Sequence, residues 1–330
     1  MSEPAIEMSP TTRRVVELAC RAPSVHNTQP WAWRLGPDRI DLYADWSRQL
    51  AAADPQGRNL LISCGAALHH AQVAAAAFGL DTVVTRFPDP SSTLHLASLA
   101  LVPAAYPHPD AAAELQALEL RTTDRQRFTD WPIPDERLLK AAASITQDGV
   151  HGIALTDVAD RFRVELLVSA ALAAQEDDAE LAAEQRLWLD HSNRDGVPAR
   201  TVPDVDGSAP NQRSRFTLGR SATDPDDGRP LVRIGSDGLI VIGTDTDDRQ
   251  GWLRAGEALS QLWLHATTDH LAVVPLSQVV EVDETRRSLR FEVLGGDVHP
   301  QILVRMGWQE LGLSRRPLTP RRPVDDVLLP

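Results

Sequence analysis

Apolar positions recur at helical spacing in several stretches of the chain, a pattern typical of helices that bury one face. The spacing predicts a helix over Thr11–Ala22 that ends at Pro23, and a long, mostly apolar helix from Gln56 or Arg58 to Phe78. Gly79 directly after this stretch favours a helix end. Further helices are predicted over 113–118, from a cap at Asp135, over 162–189 and over 251–265.

Short apolar or alternating runs between these helices predict strands. They lie at 31–34, 40–43, 82–86, 94–102, 234–243, 273–282, 288–293 and 300–307. The second long helix resembles the first at an offset of 191 positions. The residues that match are Arg58 and Arg249, Gly65 and Gly256, Ala67 and Ala258, Leu68 and Leu259, Ala75 and Ala266, and Leu80 and Leu271. We therefore expect an internal duplication, with a first half over 1–110 and a second half over 111–330.

Residues 190–230 interrupt this order of helices and strands. Prolines and glycines are spread through the segment, and most of its other residues are polar. Such a long irregular stretch is typical of a lid, a functional loop or a disordered excursion. The sequence leaves a lid over a site and a surface excursion both open.

Charge and composition exclude some classes of binding partner and limit the side chains that can bind an anion. The formal net charge is −13, and clustered basic residues are what nucleic acids and anionic membrane surfaces require, so neither is an expected partner. Lys140 is the only lysine, so a bound anion must be held by arginine side chains or backbone N–H groups. Cys20 and Cys64 lie among apolar residues and are expected to be reduced core thiols.

Several common segments and motifs are missing from the sequence. The first residues lack the apolar core of a signal peptide, and polar residues interrupt the stretch 60–80, so we expect neither secretion nor a membrane span. A cytoplasmic location is the resulting expectation. Neither the glycine motifs of dinucleotide-binding and P-loop folds nor the nucleophile motif of α/β-hydrolases occurs. The neighbours His69 and His70 point in different directions on a helix and do not fit a metal site, and no metal is expected.

One loop carries candidate binding chemistry, at 22–31, where the sequence is Ala-Pro-Ser-Val-His-Asn-Thr-Gln-Pro-Trp. Ser24, Asn27 and Gln29 offer hydrogen-bond donors and acceptors between two prolines, which suits the edge of a planar heterocycle. A turn that satisfies its own backbone explains these residues equally well.

Two arginine-rich segments are candidates for holding a phosphate. Arg121 and Arg125 flank Thr123, so two guanidinium groups and a hydroxyl lie close together in sequence. By itself this motif is more typical of a solvated charge cluster. The second segment, near the C-terminus, fits either a phosphate site or a solubilising tail, and it contains Arg315, Arg316, Arg321 and Arg322.

Taken together, these segments resemble the FMN-dependent nitroreductase family. The loop is similar to that family's Pro-Ser-x-x-Asn-x-Gln-Pro-Trp segment, and RTTDR before Pro-Ile-Pro and a helix is similar to its Arg-x-Ser-x-Arg opening. The ending PRRPVDDV resembles the family's C-terminus, and the long chain with HPQILVRMGW is similar to its single-chain mycobacterial Acg branch. The resemblance implies an α+β fold in three layers, α/β/α, in which one duplicated chain mimics the family homodimer.

The resemblance also implies one FMN between the two halves. Position by position, it implies that the isoalloxazine is contacted by the first-half loop, that the phosphate is held by the second half, and that the flavin N5 lies beside a third loop. The ring residues are Pro23, Ser24, Val25, Asn27 and Gln29; the phosphate residues are Arg121, Thr123 and Arg125 with Arg321 or Arg322; the third loop contains Leu276 and Ser277. The symmetry-related site lacks its motifs. Thr123 stands where the family usually has serine, and His270 where it has glycine.

For function, the resemblance implies NAD(P)H-dependent reduction of nitroaromatics or quinones by a flavoprotein. The alternative is a non-catalytic FMN storage or sequestering protein, which a permanently closed lid at 190–230 would produce. The expected partners are flavin, NAD(P)H and a small aromatic acceptor, and we expect a monomer that acts as a pseudo-dimer.

Overall fold

The computed structural model describes residues 10–123, 128–129, 131–147, 149–176, 178–199, 237–308 and 319–330. Arg125, Arg315, Arg316 and the greater part of the 190–230 segment lie outside these residues. Within them, the chain folds into two antiparallel sheets and a set of helices, of which the two longest lie against each other. This arrangement confirms the α+β class.

The first sheet follows helix α1 (Pro10–Ala19) and packs against helix α2 (Arg58–Ala77). Its strands are β1 (Trp31–Leu35), β2 (Arg39–Ala44), β3 (Leu80–Arg86) and β4 (His95–Pro103), in the order β1-β2-β4-β3. Trp31, Trp33, Ile40 and Leu42 are buried on its inner face, because alternate residues of a strand point to the same side. Burial of these large apolar side chains is the main force that holds the sheet on α2.

The second sheet has the same strand order, β5-β6-β8-β7. Its strands are β5 (Val150–Ala154), β6 (Gly238–Thr244), β7 (Leu271–Leu276) and β8 (His299–Trp308). The helices of this half are α3 (Ala111–Leu120), α4 (Asp135–Ser144), α5 (Val158–Glu176), α6 (Ala179–Leu187), α7 (Arg249–Thr268), α8 (Gln278–Glu281) and α9 (Asp283–Ser288). Ile240 and Ile242 belong to the main core with α7, whereas Leu239 and Val241 pack with α5 and α8. Helices therefore cover both faces of this sheet, as the α/β/α arrangement requires.

Helices α2 and α7 contact each other through two glycines. A Cβ at Gly65 would lie 1.9 Å from the carbonyl oxygen of Leu253, and a Cβ at Gly256 would lie 2.0 Å from that of Ile62. Only glycine allows the two backbones to approach this closely. These contacts pair positions that match at the 191-residue offset of the sequence. A common origin of the two halves stays a prediction.

Polar contacts also join the two halves through this helix pair. His69 Nδ1 lies 2.8 Å from Ser260 Oγ, which occupies the matching position on α7. The buried carboxylate of Glu257 accepts two hydrogen bonds of 2.8 Å from the guanidinium of Arg86. A paired arrangement of this kind compensates for the desolvation of both charges.

Three sequence predictions about secondary structure are wrong, all in the second half. The predicted helix over 162–189 is two helices, because Asp178 caps α6 by accepting hydrogen bonds from the N–H groups of Glu180 and Leu181. The strand predicted over 273–282 ends at Leu276 and continues as α8. The strand predicted over 288–293 is the helical turn Leu289–Val293. Buried valines and leucines suit a strand and a packed helical turn equally well, so the local pattern is ambiguous.

Two smaller differences concern α4 and the strand after it. Asp135 is the first residue of α4 rather than its cap, and Pro134 precedes it. Strand β5 lies in a stretch for which the sequence predicted no strand. On length and composition alone, α2 could cross a membrane, but most of it is buried inside the protein. No group of three His, Cys, Asp or Glu side chains suited to a metal ion occurs among the described residues.

Candidate functional site

The loop between α1 and β1 has an unusual backbone. His26, Asn27 and Gln29 have positive φ angles of 47°, 56° and 51°, a region that residues other than glycine rarely adopt. All three side chains are buried. Strained backbone of this kind persists only where surrounding contacts enforce it, and it is concentrated at functional sites.

Asn27 supplies part of that enforcement. Its Nδ2 donates hydrogen bonds of 3.0 Å to the carbonyl oxygens of Gly196 and Pro320. Its Oδ1 accepts a hydrogen bond of 3.0 Å from Nη1 of Arg321. The side-chain amide therefore ties the loop to two segments that are distant in sequence.

Gln29 makes a second set of such links. Its Nε2 donates to the Arg194 carbonyl oxygen at 2.9 Å, and its Oε1 accepts from the backbone N–H of Arg322 at 2.8 Å. The backbone N–H of Gln29 donates to Ser24 Oγ at 3.0 Å. In this structure the amides of Asn27 and Gln29 hold the loop in place.

Two arginines from the second half meet beside the start of this loop. Nη2 of Arg121 and Nη2 of Arg321 both donate to the carbonyl oxygen of Arg21, at 3.0 Å and 3.1 Å. Arg121 is 5% exposed, and its guanidinium lies 4.7 Å from the ring centre of Trp263. Guanidinium groups placed this close together form a donor set of the kind that phosphate groups bind to in proteins.

His70, for which the sequence predicted no metal site, lies next to these arginines. It is fully buried on α2. Burial lowers the pKa of His70 well below its ordinary value, and the charges of Arg121 and Arg321 lower it further. The imidazole is therefore neutral at physiological pH and adds no charge to the arginine pair.

The structure separates the roles of the two C-terminal candidates. Arg321 shares the Arg21 carbonyl oxygen with Arg121, whereas Arg322 bonds to Gln29 and Asp326. Nη1 of Arg322 donates to the Gln29 carbonyl oxygen at 3.2 Å, and its Nη2 donates to that of Asp326 at 2.7 Å. Arg322 thus holds the loop and the C-terminal turn together.

Sequence reasoning missed a clamp formed by Arg48 and Asp195. Arg48 Nε donates to the Thr28 carbonyl oxygen at 2.5 Å, and its Nη2 forms an ion pair with Asp195. Asp195 also accepts hydrogen bonds from His191 Nδ1 and Ser192 Oγ. Burial alone would raise the pKa of Asp195, but these hydrogen bonds outweigh it and lower the pKa to about 2. The ionised carboxylate therefore fastens residues 191–196 to the loop.

Three further predicted residues lie in the second half. Thr123 is half-buried two positions after Arg121. Leu276 ends β7, and Ser277 is 8% exposed at the start of α8. Helix α2 contacts both the loop and α8. Ser63 Oγ on α2 accepts a hydrogen bond of 3.2 Å from the backbone N–H of Val25. Asn59 Nδ2, also on α2, donates one of 2.8 Å to Glu281 Oε1 on α8. Arg125 lies outside the described residues.

Comparison with known proteins identifies the family. No family model matches the chain. Rv3131 of Mycobacterium tuberculosis, which carries the name NAD(P)H nitroreductase, is 39% identical over 321 residues, which are 96% of this chain and 91% of the relative. Acg from the same organism carries the same name and is 34% identical over 323 residues, which are 96% of this chain and 94% of the relative.

Solved structures of nitroreductases match part of the chain with low TM-scores. A nitroreductase with bound FMN from Bacteroides fragilis has a TM-score of 0.40 and 14% identity, covering 62% of this chain and 93% of that one. A second, from Desulfitobacterium hafniense, also with bound FMN, has a TM-score of 0.40 and 16% identity over 65% and 95% of the two chains.

The two mycobacterial relatives, matched over nearly their whole lengths, show that the chain belongs to the nitroreductase family. Within that family it lies in the single-chain, Acg-like branch.

Proposed function

We propose that the chain is an FMN-binding flavoprotein with one composite site between its two halves. The observation that carries the proposal is the meeting of Arg121 and Arg321 at the Arg21 carbonyl oxygen, directly before the Pro23–Val25 backbone. Among the hydrogen bonds of these guanidinium groups are ones to the neutral oxygens of Arg21 and Asn27. A dianionic phosphate fits this donor set.

Each predicted residue then has a defined task. Arg121 and Arg321, with Thr123 and Arg125, hold the phosphate, and the backbones of Pro23–Val25 and Leu276–Ser277 flank the ring. Asn27, Gln29 and Arg322 hold the loop in the shape that binding requires. When bound, FMN supplies the hydride and electron chemistry, and the protein supplies position and electrostatics.

The names of the mycobacterial relatives support an NAD(P)H-dependent reductase, with nitroaromatics or quinones as acceptors. In this proposal the two halves play the parts of two subunits, so a monomer is sufficient for a complete site.

One observation favours a second function, the storage or sequestration of FMN. Backbone groups at 194–196 bond to Asn27 and Gln29, and the Gly196 N–H donates to the Asn27 carbonyl oxygen at 3.4 Å. The segment that begins at 190 is thus fastened to the loop on which the ring would lie. A cover in this position would keep nicotinamide away from the flavin.

Anaerobic titration of the purified protein separates the two functions. Flavin released on denaturation should be FMN, at about one per chain. Rapid bleaching of the flavin absorbance by NADH or NADPH supports the reductase, and reduction by dithionite alone supports storage. A colourless chain that does not take up added FMN contradicts both.

A further inference from the structure

Strand β3 lies at one end of the first sheet and, among the described residues, pairs only with β4. The N–H of Phe87 donates to the Leu96 carbonyl oxygen at 2.8 Å, and the register is unbroken from there through β3. Residues of an antiparallel strand bond to their partner alternately, so the odd-numbered residues of β3 bond to β4. The N–H and C=O groups of Thr82 and Val84 therefore point to the open side, and no described residue bonds to them.

The side chains of β3 alternate in the same way. Leu80 and Val84 pack against the main core, whereas Val83 is 60% exposed on the outer face of the sheet. Val102 on β4 is exposed on that face too, two positions after Ala100, the residue that pairs with Val83. An open strand edge with an exposed apolar centre is a template for pairing with another chain.

Two other strand edges of the protein are protected. Beside β1, the N–H of Leu329 donates to the Trp33 carbonyl oxygen at 2.7 Å, so C-terminal residues cover that edge. In the second sheet, β7 has the place of β3 in the strand order and contains Pro275, which has no N–H to offer a further strand. At the offset of 191 positions Pro275 corresponds to Val84, so the first sheet lacks this protection.

The partner that this edge fits is a second copy of the same chain. Neighbouring residue pairs in an antiparallel ladder alternate between bonded and non-bonded, so a two-fold axis requires one residue to face its own copy. Val83 is the middle of the seven residues of β3, so full overlap of two β3 strands places Val83 opposite Val83. Since Val83 bonds to β4, this is a non-bonded pair, in which the two side chains approach most closely.

The other pairs of this register are compatible as well. Asp81 faces Thr85 of the copy, so like charges are not opposed there. Thr82 faces Val84 of the copy, and their backbone N–H and C=O groups bond across the axis. We infer that β3 is a docking edge through which two chains pair into one continuous antiparallel sheet. No residue of the candidate site belongs to β3, so this inference is independent of the proposed function.

Sedimentation velocity of the purified full chain tests the pairing. The contact is small, so we expect a reversible change from monomer to dimer between about 1 µM and about 200 µM. Val83→Lys should raise the dissociation constant by about tenfold or more, because two ammonium groups would face each other in place of two valines. Val158→Lys is the matched control, since Val158 is 80% exposed at the start of α5, and it should leave the constant unchanged.

Val84→Pro tests the backbone part of the contact. It gives β3 the residue that β7 has at the corresponding position and removes an N–H that points to the open side. Proline is tolerated at an edge strand in this orientation, so the chain should fold and the dissociation constant should again rise by about tenfold or more. Urea unfolding of the variant checks that the fold is kept.

Disulfide trapping tests the register. Val83→Cys should form a reducible dimer under mild oxidation, because the Cα atoms of a non-bonded pair lie about 4.5 Å apart, within disulfide range. Thr85→Cys is exposed on the same face but would face Asp81, so it should cross-link far more slowly. Non-reducing denaturing electrophoresis gives both rates.

Three outcomes would overturn the inference. The wild-type chain could stay monomeric over the whole concentration range, which would leave the edge to a different partner or to none. Val83→Lys and Val158→Lys could weaken association equally, which would indicate general surface attraction. Thr85→Cys could cross-link as fast as Val83→Cys, which would exclude the pairing centred on Val83. The flavin content of the protein enters none of these measurements, so failure of the proposed function would be seen separately.

Discussion

The two sheets share one strand order but differ in the connection between the preceding helix and the first strand. Between α1 and β1 the chain has eleven residues, Cys20–Pro30, including the three with left-handed backbone. Between α4 and β5 it has only residues 145–149, closed by hydrogen bonds of 3.0 Å and 2.8 Å between Gln147 and Val150. The candidate site therefore lies where two sheets of the same strand order differ most in this connection.

Helices α2 and α7 differ in the burial of the aspartate at their first turn. Asp54 accepts a hydrogen bond of 2.9 Å from the Leu60 N–H at the start of α2 and is 4% exposed. Asp248 caps α7 by accepting from the Gly251 N–H at 2.8 Å, and it is exposed. Burial raises the pKa of Asp54 to about 7, although backbone N–H groups oppose this shift. The helix next to the candidate site thus starts at a carboxyl that titrates near neutral pH.

The largest expected effect is on stability, and it tests whether the packing at Gly65 of α2 is equivalent to the packing at Gly256 of α7. Gly65→Leu and Gly256→Leu should each destabilise the protein by more than about 4 kcal/mol, because backbone oxygens lie where the new side chains would start. Urea unfolding or the yield of folded protein measures this. A severe effect at one glycine and a mild effect at the other would show that the packing is not equivalent.

Next in size is the pH dependence contributed by Asp54. Because its pKa is raised in the folded state, its contribution to stability is complete below about pH 4 and is lost as the pH rises through about 7. The slope is at most about 1.4 kcal/mol per pH unit. Asp54→Asn should flatten the difference in unfolding free energy between about pH 5 and about pH 7.5, measured with urea.

The exposed cap Asp248 is the control for this experiment. Asp248→Asn should change stability by about 1 kcal/mol or less at both pH values without changing the slope. If Asp54→Asn keeps the wild-type slope, the two helix starts do not differ as described.

The third prediction concerns Arg121 and Arg321, which meet beside the loop. Arg121→Ala and Arg321→Ala should each weaken FMN binding by about 100-fold, because a hydrogen bond to a charged group contributes about 1.5–3 kcal/mol. Arg322→Ala should weaken it less than about tenfold, since Arg322 bonds to backbone oxygens of Gln29 and Asp326. Fluorescence titration of the stripped protein gives the three constants, and equal losses would contradict the assignment.

The smallest effect is expected at the Arg48–Asp195 clamp. Asp195→Asn should speed FMN dissociation by about tenfold, because the backbone at 194–196 loses its ion pair to the loop. Since the pKa of Asp195 is lowered to about 2, the stability that it contributes is present above about pH 4 and is lost only as the pH falls through about 2. Stopped-flow dilution measures the rate.

Asp190→Asn is the matched control, because Asp190 accepts only the Ala199 N–H on the same segment, among its described contacts. A similar acceleration in both variants would mean that general loosening of the segment, and not the clamp, sets the rate.

Strong local signals made much of the fold predictable. The predicted helix ending at Phe78 is α2, and the runs at 31–34 and 40–43 are β1 and β2, because periodicity and turn residues agree there. Residues 279–282 were misread because three valines favour a strand, whereas packing against α5 makes most of this stretch helical. Tertiary contacts decided the structure where the local pattern was ambiguous.

Sequence motifs predicted the segments of the candidate site but not the contacts between them. The loop and the arginine segments were visible, and Arg121 and Arg321 do meet beside the loop. The contacts Arg48–Asp195, Asn27–Gly196 and Asn59–Glu281 join residues more than 100 positions apart, so no local spacing reveals them. The same long-range contacts explain why the amides of Asn27 and Gln29 serve the loop itself.

The contact between His69 and Ser260 has a consequence for how such a chain can change over time. In an assembly of two identical subunits, a residue on the symmetry axis always faces its own copy, so each substitution there occurs twice. Here the half-buried His69, whose pKa burial lowers to about 4, faces a serine instead of a second histidine. Within one polypeptide, positions that face each other across two packed helices mutate independently, so the two halves can differ in such places as the connections before β1 and β5.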